Sequence, residues 1–542
     1  MIAAASRGWR PYALLALLCL GLYLPGLASL PVTDRDEARF AQATRQMLES
    51  GDLLDIRFQN EARNRKPAGI YWLQAASVAA LSTAESDAIW PYRLPSLLGA
   101  AAAVLLTFAF GARLVGAEAA LLGTGLLAAS LGLVVEAHLA KTDAVLLLCA
   151  VAAEGALAEI YRGARAARWP LLFWAAQGAA ILVKGPVVPL LSLLTLLALA
   201  LADRAWRWLG RLRPLWGVPL ACAIAGPWLV AISRATGGAF LGDSIGHDFL
   251  GKLLGAQENH GAWPGYYLVL LAITFWPGSL LLGAALGWAW RARRTTEARF
   301  LLAWAAPFWL VLELVPTKLP HYLLPAFPAL ALMAGRSLTA TDAAAPRWIV
   351  RAAGAVWSVA SLLLAATLAL APPQLEVGVD VAGVAVALVI LVYGAGMLRR
   401  AWRGLEPALA VRACLIALFT LPAALALEAP RLAPLWLSRA AAAMVAREHP
   451  PADAPLSAVG YAEPSLVFLL GTRTELVSPD KAAARVVSAR GALALVEGRE
   501  DQAFRRALGA RGWQAKAIER VAGLDYSNGR RMVLTLYRGV PG

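Results

Sequence analysis

Charge is scarce in this chain: Asp, Glu, Lys and Arg make up 16% of its 542 residues, where a soluble domain carries about 25%. With 59% hydrophobic residues as well, that excludes an ordinary soluble enzyme and indicates a multispan membrane protein. Histidine numbers only five, and the four cysteines, Cys19, Cys149, Cys222 and Cys414, each sit inside an apolar run. Disulfides need an oxidising aqueous compartment and metal clusters need grouped thiolates, so all four read as small buried hydrophobes. Acids are the scarcer sign, 35 against 50 Lys and Arg, for a net charge of +15. Nucleic-acid binding requires such an excess to gather on one accessible face. The cations are spread differently, so no nucleic-acid partner is expected.

Apolar runs are what the chain has in quantity. Thirteen stretches stand out, near 11–29, 95–112, 119–136, 143–160, 170–184, 187–202, 215–233, 265–289, 300–315, 322–335, 349–371, 381–398 and 411–428. They are candidates to cross about 30 Å of hydrocarbon at about 1.5 Å per residue. Several are short or interrupted, notably around Lys184-Gly185-Pro186 and between Pro316 and Pro320. The first follows Arg7 and Arg10 as a signal peptide would, but the spans behind it favour an uncleaved anchor.

Arginine marks every second connection: Arg113; Arg162, Arg165 and Arg168; Arg204 to Arg213; Arg291 to Arg299; Arg336 and Arg347; and Arg399 to Arg412. The alternate short connections hold only Lys141, Lys184 and Lys318. By the positive-inside rule the N-terminus is cytoplasmic. An odd number of spans then puts the C-terminal segment outside, in the periplasm of a Gram-negative inner membrane. The expected plan is a transmembrane unit, 1–428, with external loops 30–94 and 234–264, followed by an external domain, 429–542. Loop 30–94 predicts an interfacial helix from Glu37 to Glu49, with Phe40, Ala43, Met47 and Leu48 on one apolar face. The tail predicts a small α/β domain with strands over 456–461, 491–497 and 531–538, a helix over 500–510, and a turn at Ser527-Asn528-Gly529.

The outer side also collects the candidate chemistry. Thr33-Asp34-Arg35-Asp36-Glu37-Ala38-Arg39 places three carboxylates and two arginines beside the bilayer. It suits either a helix start, with Asp34 as N-cap, or a general base held at the interface. Arg63-Asn64-Arg65-Lys66-Pro67, followed by Tyr71-Trp72, suits lipid headgroups or the phosphate of a lipid-linked donor. Glu136, His138, Lys141 and Asp143 cluster at the outer end of a span, where acids face a cavity or a partner. The Thr317-Lys318-Leu319-Pro320-His321-Tyr322 break is tolerated at that depth only where it is buried in protein or lines a cavity. His247 and His260, with nearby acids, fit no tight metal spacing. A divalent metal is therefore left open without a supporting motif, and no other cofactor is indicated.

In order and spacing, Asp36-Glu37-Ala38-Arg39-Phe40, Glu49-Ser50-Gly51-Asp52, Lys66-Pro67 before Tyr71-Trp72, Lys184-Gly185-Pro186 and Lys318-Leu319-Pro320-His321-Tyr322-Leu323-Leu324-Pro325 are similar to one known family. It is the aminoarabinose transferase branch of the protein O-mannosyltransferase-like GT-C glycosyltransferases, which use polyprenyl-phosphate sugars. The resemblance covers residues 1–335 and implies an all-α polytopic GT-C fold of about thirteen spans with an external tail. It implies that Asp36 holds the first-loop catalytic carboxylate position with Glu37 beside it, and that Asp143 is the second acid near the cavity. Arg39, Lys66 and Tyr322 match positions that hold the lipid phosphate. Lys318, Arg63, Tyr71 and His260 stand as further substrate-binding candidates. Two departures matter: Arg65 stands where the family often has Glu before Lys-Pro, so a metal site using that Glu is not inherited. Phe40 replaces a frequent Tyr.

The expected activity is inverting transfer of a sugar, aminoarabinose-like or another pentose or hexose, from undecaprenyl phosphate to lipid A or another envelope glycan on the periplasmic face. Polyprenyl phosphate leaves readily once its charge is neutralised, which Lys66 and Arg39 would supply. Asp36 would deprotonate a hydroxyl acceptor, or orient and balance charge around an acceptor phosphate. The competing class is a transporter or flippase for a lipid-linked substrate. Against it, the chain shows no paired halves, and its polar residues gather at the outer surface.

Overall fold

The computed structural model of the protein describes residues 2–63, 66–243, 261–340, 346–449, 454, 456–489 and 491–542. All thirteen apolar stretches fall on helices. Among the described residues, six helices are individually long and apolar enough to cross a membrane: Trp90–Leu114, Asp143–Tyr161, Pro214–Ala235, Arg347–Gln374, Val381–Arg403 and Ala408–Arg431. Two bent pairs raise the number to eight, Ala117–Ala129 with Leu131–Ala137 at 59° and Tyr266–Thr274 with Gly278–Arg291 at 120°. The other apolar stretches form helices that fall short in length or hydropathy. Gly185, at φ 72°, ends Arg168–Lys184, and Pro186 precedes the next helix, Val187–Asp203.

The helix Asp143–Tyr161 is the most enclosed of the candidate spans, with 78% of its apolar window buried. Close packing elsewhere depends on glycine. A Cβ on Gly335 would lie 2.1 Å from the Ala119 carbonyl oxygen, and one on Gly123 would lie 2.4 Å from that of Ala331. Helices Ala117–Ala129 and Phe327–Thr339 thus touch backbone to backbone, as small residues allow inside membranes. Gly335→Ala is expected to cost about 1–3 kcal/mol through overpacking, read as a lower melting temperature of the purified protein.

Polar contacts divide the bundle into two ends. At one, the Tyr161 hydroxyl donates to Asp203 at 2.7 Å, and Arg299 pairs with the same carboxylate. This gathers connections that sequence patterning places on one side. At the other end lie loop 30–94, the 138–142 connection, Lys184, the 317–322 break and the tail.

The tail forms a five-stranded mixed sheet in the spatial order Glu475–Leu476, Ser457–Val459, Leu493–Glu497, Arg530–Pro541, Trp513–Asp525. The first three are parallel and the last two pair antiparallel. All three expected strands, the expected helix (Asp501–Gly509) and the expected turn are present. Trp513–Asp525 is not expected from the sequence, because the adjacent pairs Ala517-Ile518 and Glu519-Arg520, where the pairing register shifts, break the alternation that would reveal it. Leu466, Leu495 and Leu534 form one core cluster, and Val496, Phe504 and Tyr537 a second.

The loop helix departs from expectation. It runs Asp36–Ser50, and its Phe40, Ala43 and Met47 join the transmembrane core. Ala38 and Ala41 pack instead with Phe468 of the tail helix Pro464–Leu470. Both faces are therefore covered by protein, whereas an interfacial helix keeps one face free for headgroups. The alanines on the second face carry too little hydropathy to mark it as buried. Asp34 is no N-cap, since the helix begins at Asp36 without a side-chain cap. A further apolar helix, Gly69–Leu81, lies in a region read from sequence as polar loop. At 13 residues it is too short to span.

Candidate active site

The turn leading into the loop helix is anchored by Glu37. Its carboxylate accepts from Arg93 Nε at 2.8 Å and Nη2 at 2.9 Å, from the Thr33 amide at 2.8 Å and from the Ala140 amide at 2.9 Å. Burial alone would favour the protonated acid, but Arg93 and the two amides hold the Glu37 carboxyl below the usual carboxylate range. Both oxygens are committed and the residue is 1% exposed. In this arrangement Glu37, expected beside the catalytic carboxylate, has no lone pair free for proton transfer.

Asp36, the next residue back, is exposed at the floor of a recess. Surrounding protein partly desolvates its carboxyl and opposes its charge. Lys141, then Arg63, His321 and Arg39, outweigh that effect and hold it below the usual range. Asp36 is therefore an ionised carboxylate facing the cations Lys141, Arg63 and Arg39. Arg63 donates from Nε to the Tyr71 hydroxyl at 3.1 Å and stacks over Phe40 at 5.1 Å. Three of the candidates, Asp36, Arg63 and Tyr71, thus share one neighbourhood. Arg39 acts on Asp36 from one side and on Glu463 of the tail from the other.

Adjoining this recess is a cavity of about 120 Å³ lined at its polar end by Lys66, Asp143, Lys184, His321 and Tyr322. Lys184 Nζ lies 2.5 Å from Asp143 Oδ1 and 5.4 Å from the Tyr322 ring centroid. Lys141 pairs with Glu136 at 3.0 Å, and the His321 ring stands 3.8 Å from both Glu136 and Asp143. Lys141 and His321 act electrostatically on Asp36 and on Asp143, joining recess and cavity into one charged site. The opposite wall is aliphatic: Leu146, Val187, Leu190, Val311, Leu312 and Val315. A polar end rich in lysine against a hydrocarbon wall matches the two halves of a polyprenyl phosphate. A larger apolar groove of about 850 Å³, lined mainly by helices Tyr266–Thr274, Leu282–Arg291 and Arg347–Gln374, has Arg291 as its one charged lining residue and offers no such chemistry.

One expected residue, Lys318, lies apart from this cluster. Lys318 is buried and donates to the carbonyls of Glu313 at 3.0 Å and Val315 at 2.5 Å. It thereby closes the end of helix Thr296–Leu314, which leaves its ammonium turned from the cavity. His260 and His247 lie outside the described residues. Among the described residues no group of three His, Cys, Asp or Glu side chains could hold a metal ion.

Residues 65–230 match the family described as dolichyl-phosphate-mannose-protein mannosyltransferase. An undecaprenyl phosphate-alpha-4-amino-4-deoxy-L-arabinose arabinosyl transferase of Pseudomonas aeruginosa is 32% identical over 330 residues, 60% of this chain and 59% of that protein. The protein of the same name from Edwardsiella ictaluri is 29% identical over 336 residues, 60% and 59% of the two chains. The chain thus matches about three fifths of the length of these curated relatives. In fold the likeness is nearly complete. The crystal structure of ArnT from Cupriavidus metallidurans bound to undecaprenyl phosphate superposes with a TM-score of 0.76 at 21% identity, covering 96% of this chain and 97% of that one. This chain has the fold of that ArnT structure.

Within that fold, sequence reasoning assigned no catalytic or substrate-binding role to Lys184, Lys141, Glu136 or His321. Each was visible as a polar residue bordering hydrocarbon, but only the fold brings their three separate segments together. Arg93 was missed altogether. Its one signal was a lone arginine in the apolar segment beginning Trp90-Pro91-Tyr92.

Proposed function

We propose that this chain is an inner-membrane glycosyltransferase that moves 4-amino-4-deoxy-L-arabinose, or a closely similar sugar, from undecaprenyl phosphate to a lipid acceptor such as lipid A. The observation that carries the reading is the cavity where Lys66, Lys184 and Tyr322 face an aliphatic wall, beside the ionised Asp36. The relatives' names supply the sugar and the carrier.

In the reaction, an acceptor oxygen attacks the anomeric carbon while the bond from that carbon to the carrier's phosphate oxygen breaks. The phosphate gains one negative charge as it leaves, and Lys66 and Lys184 lie where that charge develops. Arg39 adds positive field at the recess. If the acceptor is a hydroxyl, its proton passes to Asp36; if it is an ionised phosphate, Asp36 orients the sugar and balances the cations. Asp143 and Glu136 hold Lys184 and Lys141 in place. Glu37 positions Asp36 through the backbone, and Lys318 supports the break that carries His321 and Tyr322.

The same reading makes 1–428 the membrane unit with thirteen crossings, an internal N-terminus and the site on the periplasmic face. Residues 429–542 form the external domain. The separate hydrophobic clusters of bundle and tail support that division. So does the gathering of loop 30–94, Lys141, Lys184 and the tail at one end, opposite the arginine-rich connections.

Purified protein in lipid nanodiscs, given undecaprenyl-phosphate aminoarabinose and lipid A, is expected to yield sugar-modified lipid A and undecaprenyl phosphate in equal amounts by mass spectrometry. Donor translocation in sealed vesicles without any transfer would establish the transporter class instead.

A further inference from the structure

The turn that carries Asp36 is held from two sides, and one of them is the C-terminal domain. Arg35, between Asp34 and Asp36, has φ 62° and ψ −100°, outside the regions that a residue with a side chain occupies comfortably. Such a conformation costs of order 1–3 kcal/mol and persists only where its surroundings over-determine it. On the bundle side the restraint is Glu37, locked to Arg93, Thr33 and Ala140. On the other side every restraint comes from the tail. The Tyr526 hydroxyl accepts from the Asp34 amide at 2.6 Å, and Ser465 donates to the Asp34 carboxylate. Ser465 Oγ lies 2.6 Å from Ser438 Oγ, which is 2.7 Å from the Tyr461 hydroxyl, so the anchor is tied into the domain's interior.

The seam around these contacts is packed. Phe468 is fully buried with Val32, Ala38 and Ala41 and meets Tyr92 edge to face at 5.4 Å. Arg45 donates to the Phe468 carbonyl at 2.9 Å. A domain serving only as an external appendage would not bury its side chains in the loop that bears the candidate base.

We propose that the C-terminal domain is a working part of the catalytic centre, with Tyr526 and Ser465 as positioning residues that hold the Asp34–Asp36 turn so that the Asp36 carboxylate faces the recess. The inference rests on the assignment of Asp36 made above. Neither residue touches the recess, so each acts through the backbone of the turn. Misplacement of a reacting group by about 1 Å costs on the order of 10²-fold in rate.

The test uses the full chain in nanodiscs with the aminoarabinose donor and lipid A. Tyr526→Phe removes one oxygen without changing shape, and Ser465→Ala removes one hydroxyl. Each is expected to lower kcat about 10–100-fold with KM for the donor unchanged, the signature of a lost transition-state alignment. Ser465→Thr, which keeps the hydroxyl, restores the rate. Arg447→Ala, which breaks only the exposed pair with Glu519 elsewhere in the domain, leaves the rate unaltered. If Tyr526→Phe and Ser465→Ala lower the melting temperature while kcat stays at the wild-type value, the domain is a structural cap and the proposal fails. Asp36→Asn run alongside separates the two levels. If it retains turnover, the assignment of Asp36 falls; if it is inactive while both positioning variants have wild-type kcat, this inference alone falls.

Discussion

Asp36→Asn is expected to fold as the wild type does and to lose about 10²–10⁴-fold in turnover, the range a positioned general base contributes. The substitution keeps the side chain's shape and removes its charge and basicity. Folding should survive because the contacts that fix the turn belong to Asp34 and Glu37, while Asp36 is exposed in the recess. Lys141, Arg63 and Arg39 outweigh desolvation and hold the carboxyl ionised below the ordinary carboxylate range. The acid limb of the rate profile should therefore fall below the midpoint of a free aspartate. A base is active only when deprotonated, so activity is present above that limb and is lost as pH falls through it. Turnover within tenfold of wild type, or a limb at or above the ordinary aspartate value, would remove Asp36 from the mechanism. An acceptor phosphate in place of a hydroxyl predicts the smaller end of the loss, because no proton then needs to move.

The sequence made some of this visible and hid the rest for physical reasons. Thirteen apolar stretches could be read as helices because hydrocarbon demands internal hydrogen bonding, and apolar length is then a nearly sufficient signal. The arginine pattern anticipated which connections share an end, as the Tyr161, Asp203 and Arg299 cluster bears out. Asp36, Lys66 and Tyr322 were picked out because they stand in the ordered set of short motifs that carries the resemblance, and Asp143 as a further position that the resemblance implies. Adjacency in a motif says nothing about direction, however. Glu37 and Lys318 stand beside site residues in the chain yet turn away from the site, one into an ion pair and the other onto helix-end carbonyls. Lys184 was visible as part of a Gly-Pro break, but its pairing with Asp143, 41 residues earlier, belongs to the packing of two helices. The tail's embrace of the first loop left no local trace. Ser465, Phe468 and Tyr526 are more than 400 residues from the turn they touch.

Arg93→Ala is expected to be the most destabilising single change at this end of the bundle, costing about 3–5 kcal/mol, because it leaves the Glu37 carboxylate buried without its partner. The arginine is fully enclosed, and all of its donors are engaged. Nε and Nη2 grip the two oxygens of Glu37, Nη1 reaches the carbonyls of Leu27 at 2.9 Å and Leu30 at 2.7 Å, and Nη2 reaches Pro31 at 2.9 Å. One side chain thus ties the segment after helix Arg10–Tyr23, the turn that carries Asp36 and the start of helix Trp90–Leu114. Lysine has a single ammonium and cannot reproduce the bidentate fork, so Arg93→Lys should recover only a minor part of the loss. Pairing Arg93→Met with Glu37→Gln removes the uncompensated charge while leaving an acceptor for one of the Thr33 and Ala140 amides, which approach different oxygens of the carboxylate. The double variant is therefore expected to be more stable than Arg93→Ala. Equilibrium unfolding in mixed micelles reads both differences. A loss below about 1 kcal/mol for Arg93→Ala would place the pair among those worth little and shift the weight of holding the turn onto the tail.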